Sequence, residues 1–412
     1  MNTPARPPRS ALSRLPLRPA DLRGLSRLGV DAVLGVTGVV EAMHHTIAAR
    51  PWPLGPAPAG RPGGITGFVY GAVRGTTRAV GRGLDAVLGA LPFDTATSTP
   101  EREAFVAALN GVFGDHLADS GNPLAITMQL RSGGRPWREA VTPGSGASGK
   151  LLVLVHGLAM NDLQWLRQGH DHGRALARDL GFTPVYLHYN SGRHVSQNGR
   201  DFAQRLDELV AGWPVPVHEL VIIGHSMGGL VTRSACHQGA GQAWARHLSR
   251  LVFLGTPHHG APLERGGRLA DTLLAASPYA APLARLGQAR SAGITDLRFG
   301  NLQDADWQQH PSRHHQARDD RRPTPLPEGV ATHLVAATTA ARADNLRSRT
   351  LGDGLVPLAS ALGEHRDPAL CLQVPDERRL VVTSANHWDL LELASRADVY
   401  AQLRTWPGPG NR

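Results

Sequence analysis

The segment Leu220-Val-Ile-Ile-Gly-His-Ser-Met-Gly-Gly-Leu-Val-Thr-Arg-Ser234 joins a short apolar run to a glycine-rich turn and then to residues that can form a helix. The run Leu220–Ile223 predicts a buried strand. The pattern Gly-x-Ser-x-Gly that follows places Ser226 on a sharp strand-to-helix turn, which presents a serine hydroxyl at the edge of a sheet. Ser226 is therefore a candidate catalytic nucleophile, and a purely structural turn is the alternative.

Gly224 and Gly228 flank this serine, and the tightness of the turn accounts for both. A side chain at either position is expected to collide with the neighbouring strand or helix. The helix after the turn points its N-terminus at the serine, so the Met227 N–H is one expected donor to an oxyanion.

A second oxyanion donor is expected from the turn after another apolar run, Leu151–Val155. Gly157 permits a tight backbone in that turn, and the Leu158 N–H is the candidate donor. We expect His156 to be structural, packing or hydrogen-bonding beneath the turn.

A nucleophilic serine needs a base and an orienting acid. Where the serine stands on a sharp strand-to-helix turn of this kind, the chain order is serine, acid, histidine. Asp353 follows the predicted strand Thr332–Ala337 in a glycine-flanked loop. It is favoured over Asp344, which lies in an arginine-rich stretch without that turn chemistry. His387 is the only histidine beyond the last predicted strand. The structural alternatives are an Asp-Gly turn for Asp353 and a helix cap for His387.

Strand and helix patterns alternate after residue 125, which predicts an α/β fold with a mostly parallel, doubly wound sheet. The predicted strands are Ala125–Arg131, Leu151–Val155, Pro184–His188, Leu220–Ile223, Leu251–Leu254, Thr332–Ala337 and Leu380–Thr383. The predicted helices are Glu101–Leu117, Asn161–Leu180, Gln197–Val210, Leu230–Ala240 and one beginning over Asp389–Arg396.

The domain organisation follows from composition. Residues 1–20 are rich in Pro and Arg and predict a disordered tail. Residues 21–120 predict an N-terminal helical extension, and 121–405 the α/β domain. Residues 261–329, dense in Pro, Arg, Gln and His, interrupt the alternation and predict a lid inserted over the site.

The helical extension contains two apolar stripes at helical spacing, over 22–47 and 65–91, joined by a Pro/Gly linker. This pattern predicts a helical hairpin. Gly67, Gly71 and Gly75 share one helix face, which predicts close helix packing. Packing within the chain and a lipid-surface or self-association face both remain open.

Charge and composition restrict the partners. Net charge is +9, Lys150 is the only lysine, and only 5% of residues are aromatic. No arginine block is interleaved with aromatic residues, so nucleic acid is not an expected partner, whereas weak attraction to anionic lipid is. The sequence carries no pattern that sets an oligomeric state.

The two cysteines, Cys236 and Cys371, are too few for a disulfide framework. No apolar run approaches the ~20 residues of a membrane span, and no uninterrupted apolar segment follows the basic N-terminus. We expect a cytoplasmic protein that can also contact a membrane surface.

Several histidines lie close together in sequence, but none has the spacing of a zinc site. These groups are His170-Asp171-His172, His258-His259 and His314-His315. We therefore predict neither a metal nor a cofactor.

The motifs together resemble those of α/β-hydrolase lipases and esterases, and most of all bacterial proteins similar to the hydrolase domain of GPI inositol-deacylase. The segments that carry the resemblance are Val153–Leu158, Gly224–Gly228, Gly255–Gly260, Gly352–Pro357 and Asn386–Asp389. The resemblance covers roughly residues 125–405. It implies the α/β-hydrolase fold and a catalytic triad of Ser226, Asp353 and His387.

Two further implications concern the surroundings of the triad. Thr256–Gly260 resembles a stretch that borders the acyl pocket in lipases. In some bacterial lipases an aspartate two residues after the catalytic histidine binds calcium, and Asp389 matches that place. Leu393 stands where those lipases have another ligand type, so a helix-start role for Asp389 is favoured.

These inferences predict a serine hydrolase that cleaves carboxylic esters, with an acyl or lipid-like substrate, through an acyl-enzyme. One alternative is an acyltransferase that uses the same triad with an alcohol in place of water. The other is a catalytically silent module that binds lipid through the helical extension.

Overall fold

The computed structural model describes residues 18–49, 64–90, 98–261, 291–308, 319–343, 352–392 and 397–406. The described residues form two compact units. The sheet unit comprises those within 103–116 and 126–412, and the helical unit those within 14–102 and 117–125.

The sheet unit is built on an eight-stranded sheet. Its strands are β1 Gln129–Ser132, β2 Arg135–Pro136, β3 Lys150–Val155, β4 Thr183–His188, β5 Glu219–His225, β6 Leu248–Leu254, β7 Ala331–Thr338 and β8 Arg379–Thr383. Their spatial order is β2-β1-β4-β3-β5-β6-β7-β8. Strand β1 runs antiparallel to β2 and β4, and all other neighbours are parallel.

Helices follow most of the strands. In chain order the α-helices of the described residues are α1 Pro19–Ala49, α2 Gly64–Gly89, α3 Pro100–Asp119, α4 Trp137–Ala140, α5 His172–Leu180, α6 Val195–Ala211, α7 Met227–Gln238, α8 Ala292–Phe299, α9 Asp304–Gln308, α10 Leu358–Ala361 and α11 Ala397–Thr405. Short 3₁₀ helices cover Asp162–Trp165, Ala243–His247, Pro368–Leu370, Asp376–Arg378 and Asp389–Leu391.

The strand order and directions define the α/β-hydrolase fold, so the predicted doubly wound, mostly parallel sheet is confirmed. Both faces of its centre are buried, which accounts for the continuous apolar runs. In β3, Leu151 and Val153 join the apolar cluster on one face, while Leu152 and Leu154 join the cluster on the other.

Two helix predictions are wrong. Asn161–Leu180 is not one helix, because the backbone turns at Gln168 and Gly169, which have φ of 47° and 78°. These positive φ values end the helical pattern, so a 3₁₀ turn and α5 replace the single helix. The expected helix start at Asp389 is a 3₁₀ turn as well, and α11 begins at Ala397.

The described parts of the 261–329 insertion belong to the sheet unit, and α8 packs into its core. Ile294 and Leu297 of α8 are buried in the main apolar cluster. Asp296 is buried and accepts hydrogen bonds from Val195 N–H at 2.8 Å and from His194 Nδ1–H at 2.9 Å. Residues 262–290 and 309–318 lie outside the described residues, so the lid over the site stays a prediction.

The helical unit is an antiparallel hairpin of α1 and α2. The start of α1 meets the end of α2, where Arg23 Nε–H donates to Asp85 at 2.7 Å. The predicted close approach at Gly71 and Gly75 is wrong: a Cβ at either would meet no described atom within 4 Å. The helices approach at Gly81 instead, where a Cβ would lie 2.8 Å from Val30. None of the helices in the described ranges has the length and apolar character needed to cross a bilayer.

Candidate active site

Ser226 occupies the sharp turn between β5 and α7, with φ of 53° and ψ of −125°. Non-glycine residues rarely adopt this conformation, and it is held by the packing around it. A Cβ at Gly224 would lie 2.7 Å from the Gly229 backbone, and one at Gly228 would overlap Val155 O. The turn therefore requires glycine on both sides of the serine.

The turn after β3 lies directly against Ser226. A Cβ at Gly157 would be 3.0 Å from the Ser226 Cβ. Leu158 and Met227, the two expected oxyanion donors, are both buried beside this contact. Their backbone N–H groups thus belong to the two turns that meet at the serine, and both stay candidate oxyanion donors.

Asp353 and His387 are joined by a hydrogen bond. The His387 Nδ1–H donates to Asp353 Oδ2 at 2.6 Å, and both side chains are buried. The other carboxylate oxygen, Oδ1, accepts the backbone N–H groups of Leu355 at 2.9 Å and Val356 at 2.8 Å. A carboxylate oxygen accepts this bond, so Nδ1 is the ring nitrogen that donates and Nε2 is the one not engaged by Asp353.

His387 Nε2 is buried and has no hydrogen-bond partner within the described part of the chain. Its ring packs on the backbone of Gly255, where a Cβ would lie 3.1 Å from the ring. Gly255 directly follows Leu254, whose carbonyl accepts the Ser226 N–H at 2.9 Å. His387 and Ser226 thus share one edge of the sheet, although no hydrogen bond joins Ser226 Oγ to His387 Nε2. In free enzymes this bond is often long and tightens only with substrate.

His225 contacts His387, which the sequence did not indicate. Its ring centroid lies 4.7 Å from that of His387, and its Nε2 is 3.4 Å from the His387 carbonyl oxygen. Burial, and secondarily the proximity of His387, hold the pKa of His225 well below its ordinary value. His225 is therefore a neutral ring that packs beside His387 without adding charge.

Tyr189 and Ser191, which follow β4, support the turn after β3 and were also missed. The Tyr189 hydroxyl donates to His156 O at 2.9 Å, and its ring stacks on His156 with centroids 4.3 Å apart. Ser191 Oγ accepts the Ala159 N–H at 2.9 Å, and Ala159 has φ of 57°. The signal that could have identified both residues was their position after β4, since residues that follow neighbouring parallel strands meet at one edge of the sheet. His156 is structural, as expected.

Thr256–Gly260, the stretch expected to border an acyl pocket, is mostly buried. Thr256 packs so tightly on α7 that a Cβ at Gly229 would overlap its hydroxyl. His258 is buried as well and faces Arg233, with 3.5 Å between Nδ1 and Nη1. This stretch therefore packs against α7, the helix that follows the turn at Ser226.

Within the described ranges, no three His, Cys, Asp or Glu side chains are arranged to hold a metal ion. His170 and His172 contact one another at 2.8 Å, and His172 Nε2–H donates to Leu390 O at 2.9 Å. Asp389 accepts the Asn386 N–H at 2.9 Å and begins a 3₁₀ turn, while Leu393 lies outside the described residues.

The buried histidines predict a loss of stability in mild acid. Burial lowers the pKa of His156 to about 3 and of His172 to about 4, against an ordinary value of 6.5. The unfolded chain binds these protons at a higher pH than the folded chain does. The contribution of each neutral histidine to the free energy of unfolding is therefore fully present above pH 6.5 and falls as the pH drops from there toward 4. We expect each histidine to cost about 1.4 kcal/mol per pH unit in this window, measured by urea unfolding.

His172→Gln should therefore flatten the pH dependence of the unfolding free energy. The exposed His237→Gln is the matched control and should leave the slope unchanged. An unaltered slope in the His172 variant would contradict the assignment of that acid sensitivity to burial.

Comparison with known proteins adds the following. A family described as "Domain of unknown function (DUF7379)" matches residues 133–294. No curated protein matches the chain. Among solved structures, the Bacillus licheniformis lipase BlEst2 in mature form is 19% identical, with 68% of this chain and 98% of that chain covered and a TM-score of 0.41.

Two other solved structures match at lower similarity. Phospholipase PlaB from Legionella pneumophila, in complex with thio-NAD, is 18% identical, with 52% and 44% of the two chains covered and a TM-score of 0.32. MGS-MChE2, an alpha/beta hydrolase enzyme from a lagoon-sediment metagenome, is 17% identical, with 62% and 89% covered and a TM-score of 0.32.

Proposed function

We propose that the protein is a serine hydrolase that cleaves carboxylic esters through an acyl-enzyme. The observation that carries the proposal is the buried hydrogen bond from His387 to Asp353 at the sheet edge where Ser226 stands on a strained turn. Such a pair fixes the histidine tautomer with its Nε2 lone pair available as a base. A structural turn does not need a strained serine beside an oriented histidine.

The mechanism assigns one step to each group. His387 Nε2 takes the hydroxyl proton of Ser226 while Oγ attacks the ester carbonyl carbon. The Leu158 and Met227 N–H groups stabilise the resulting oxyanion, and Asp353 stabilises the imidazolium. Collapse expels the alcohol, which takes the proton from His387. Water then repeats the attack on the acyl-enzyme and releases the acid.

The proposed substrate is an acyl or lipid-like ester. The support is the resemblance of the motifs to lipases and to inositol-deacylase-type hydrolases. We expect p-nitrophenyl esters of increasing acyl length to be hydrolysed by the wild type, with kcat/KM rising beyond the acetyl ester because a longer chain buries more apolar surface. The Ser226→Ala variant is the negative control against which the turnover of every ester is compared. A series in which no ester is turned over faster than by that variant would overturn the proposal.

The same p-nitrophenyl ester assay can distinguish hydrolysis from acyl transfer. Adding an alcohol acceptor and analysing the products shows whether the acyl group leaves as the acid or as a new ester. Release of the acid even when the acceptor is abundant supports the hydrolase. Predominant formation of the new ester would assign the chain to the acyltransferases with the same catalytic groups.

We also propose that the helical unit makes peripheral contact with a membrane surface. The support is the exposure of large apolar side chains on both α1 and α2, Val36 and Val87 being 65% and 64% exposed. Contact of this kind would bring the enzyme to lipid-like substrates without any segment that spans the bilayer.

A further inference from the structure

The hairpin of the helical unit has its charged groups on the inside. Asp85 accepts hydrogen bonds from Arg23 Nε–H at 2.7 Å and from Arg27 Nη2–H at 2.8 Å, and Glu41 is paired with Arg74. These pairs connect α1 to α2 along the seam between the helices. Ion pairs and the close approach at Gly81 therefore hold the hairpin together.

The large apolar side chains of α2 are on the outside. At 100° per residue, five of them fall within roughly 60° of the helix surface, about 115° away from the seam. They are Val69, Val73, Val80, Leu84 and Val87, which are 42–64% exposed. The four charged residues of α2 lie in a separate arc of roughly 80° that includes the seam.

Helix α1 repeats this arrangement. Four exposed apolar residues fall within roughly 60° of its surface, again about 115° from the seam. They are Leu22, Val33, Val36 and Val40, which are 42–65% exposed. Because the helices run antiparallel, both stripes turn to the same side of the hairpin. We call these nine residues the apolar face.

The remaining arginines of α2 are away from the apolar face. Arg78 and Arg82 line a cavity of about 520 Å³ together with Asp31 and Asp85, and no residue of the apolar face lines it. Arginine attraction to anionic lipid, expected from the sequence, thus has no charged group on this face to act through. The contact that the face can make depends on apolar area.

We infer that the apolar face rests on a lipid bilayer and inserts among the acyl chains, with an affinity set by apolar area and not by anionic lipid. The inference deepens the proposed membrane contact and is independent of the ester chemistry. The exposed large apolar side chains of α2, with Phe68 included, span roughly 160° of the helix surface, against the roughly 100° stripe that packing on one neighbouring protein surface requires. Phe68, 76% exposed, lies within that arc but outside the apolar face. A bilayer accommodates such a wide apolar surface, whereas a second copy would cover only part of it.

Vesicle flotation of the full chain tests the inference. The vesicles are phosphatidylcholine alone and phosphatidylcholine mixed with phosphatidylserine. The variant Val36→Asp/Val80→Asp places one charge on each stripe. The matched control is Val215→Asp, at an exposed valine of the sheet unit. We expect wild type and control to bind both vesicle types within about threefold, and the double variant to bind at least about tenfold more weakly.

Three results would overturn the inference. One is binding only to the phosphatidylserine vesicles, and another is undiminished binding of the double variant. The third is no binding by the wild type, including the case in which light scattering shows a dimer that the double variant dissociates. That dimer would assign the face to a second copy of the chain.

Two measurements keep the outcome interpretable. Circular dichroism checks the helix content of the double variant, and Val36→Thr/Val80→Thr, nearly equal in shape, replaces it if the helices are lost. Turnover of p-nitrophenyl butyrate is measured in the same samples without vesicles. Vesicle binding without turnover counts against the esterase, whereas turnover without vesicle binding counts against the apolar face.

Discussion

Ser226→Ala is expected to reduce ester turnover by about 10⁴-fold to 10⁶-fold, because it removes the atom that would form the proposed acyl-enzyme. Alanine fits the same strained turn, so the fold should be retained. Turnover of p-nitrophenyl butyrate and the thermal unfolding temperature measure the two effects together. Ser249→Ala, at the opposite end of the sheet in β6, is the matched control and should be active.

His387→Ala should cost as much as the serine replacement, since the two groups act as one unit. For the same reason, the double variant should be no slower than either single variant. Activity within about tenfold of wild type in a well-folded single variant would remove Ser226 or His387 from the mechanism.

Asp353→Asn is expected to reduce turnover by roughly 10⁴-fold with little change in fold. The reason lies in the hydrogen bonds of the carboxylate. Oδ1 accepts two backbone N–H groups, from Leu355 and Val356, so the carbonyl oxygen of an asparagine would stay there. Its amide N–H would then face His387 Nδ1, which must accept. The proton of the ring would move to Nε2, the nitrogen that has to act as the base.

The loss should therefore fall on kcat, with KM nearly unchanged, because the variant alters the base and not the binding surface. Asp344→Asn is the control and should be nearly silent; Asp344 lies outside the described residues. A silent Asp353 variant beside an inactive Asp344 variant would show that the acid belongs to the other position.

The centre of the sheet and the candidate triad were predictable because both depend on local patterns. Apolar runs marked β3, β5 and β7, and chain order then placed Asp353 and His387 after the correct strands. The supporting residues were not predictable in the same way. Tyr189 reaches His156 only because β4 lies beside β3 in the sheet, and spatial strand order is not contained in a local pattern.

The hairpin shows a second limit of periodicity. The repeat of apolar residues predicted two amphipathic helices but did not say which side faces the partner helix. Ion pairs such as Arg74–Glu41 join residues far apart in sequence, and they turn the charged side inward. Burial of apolar surface is the usual reason for two helices to pair, so these ion pairs could not be inferred from the repeat.

The backbone of Ser226 has a consequence for how this chain can diverge. Its φ of 53° stores strain of order 1–3 kcal/mol, which the surrounding glycines and strands must hold. In the proposed esterase, selection for chemistry maintains that strain, whereas selection for folding alone opposes it. A lineage that lost its substrate would gain stability by accepting glycine at this position. A glycine in place of the serine, with the flanking glycines kept, would mark a descendant that has exchanged catalysis for a purely structural or binding role.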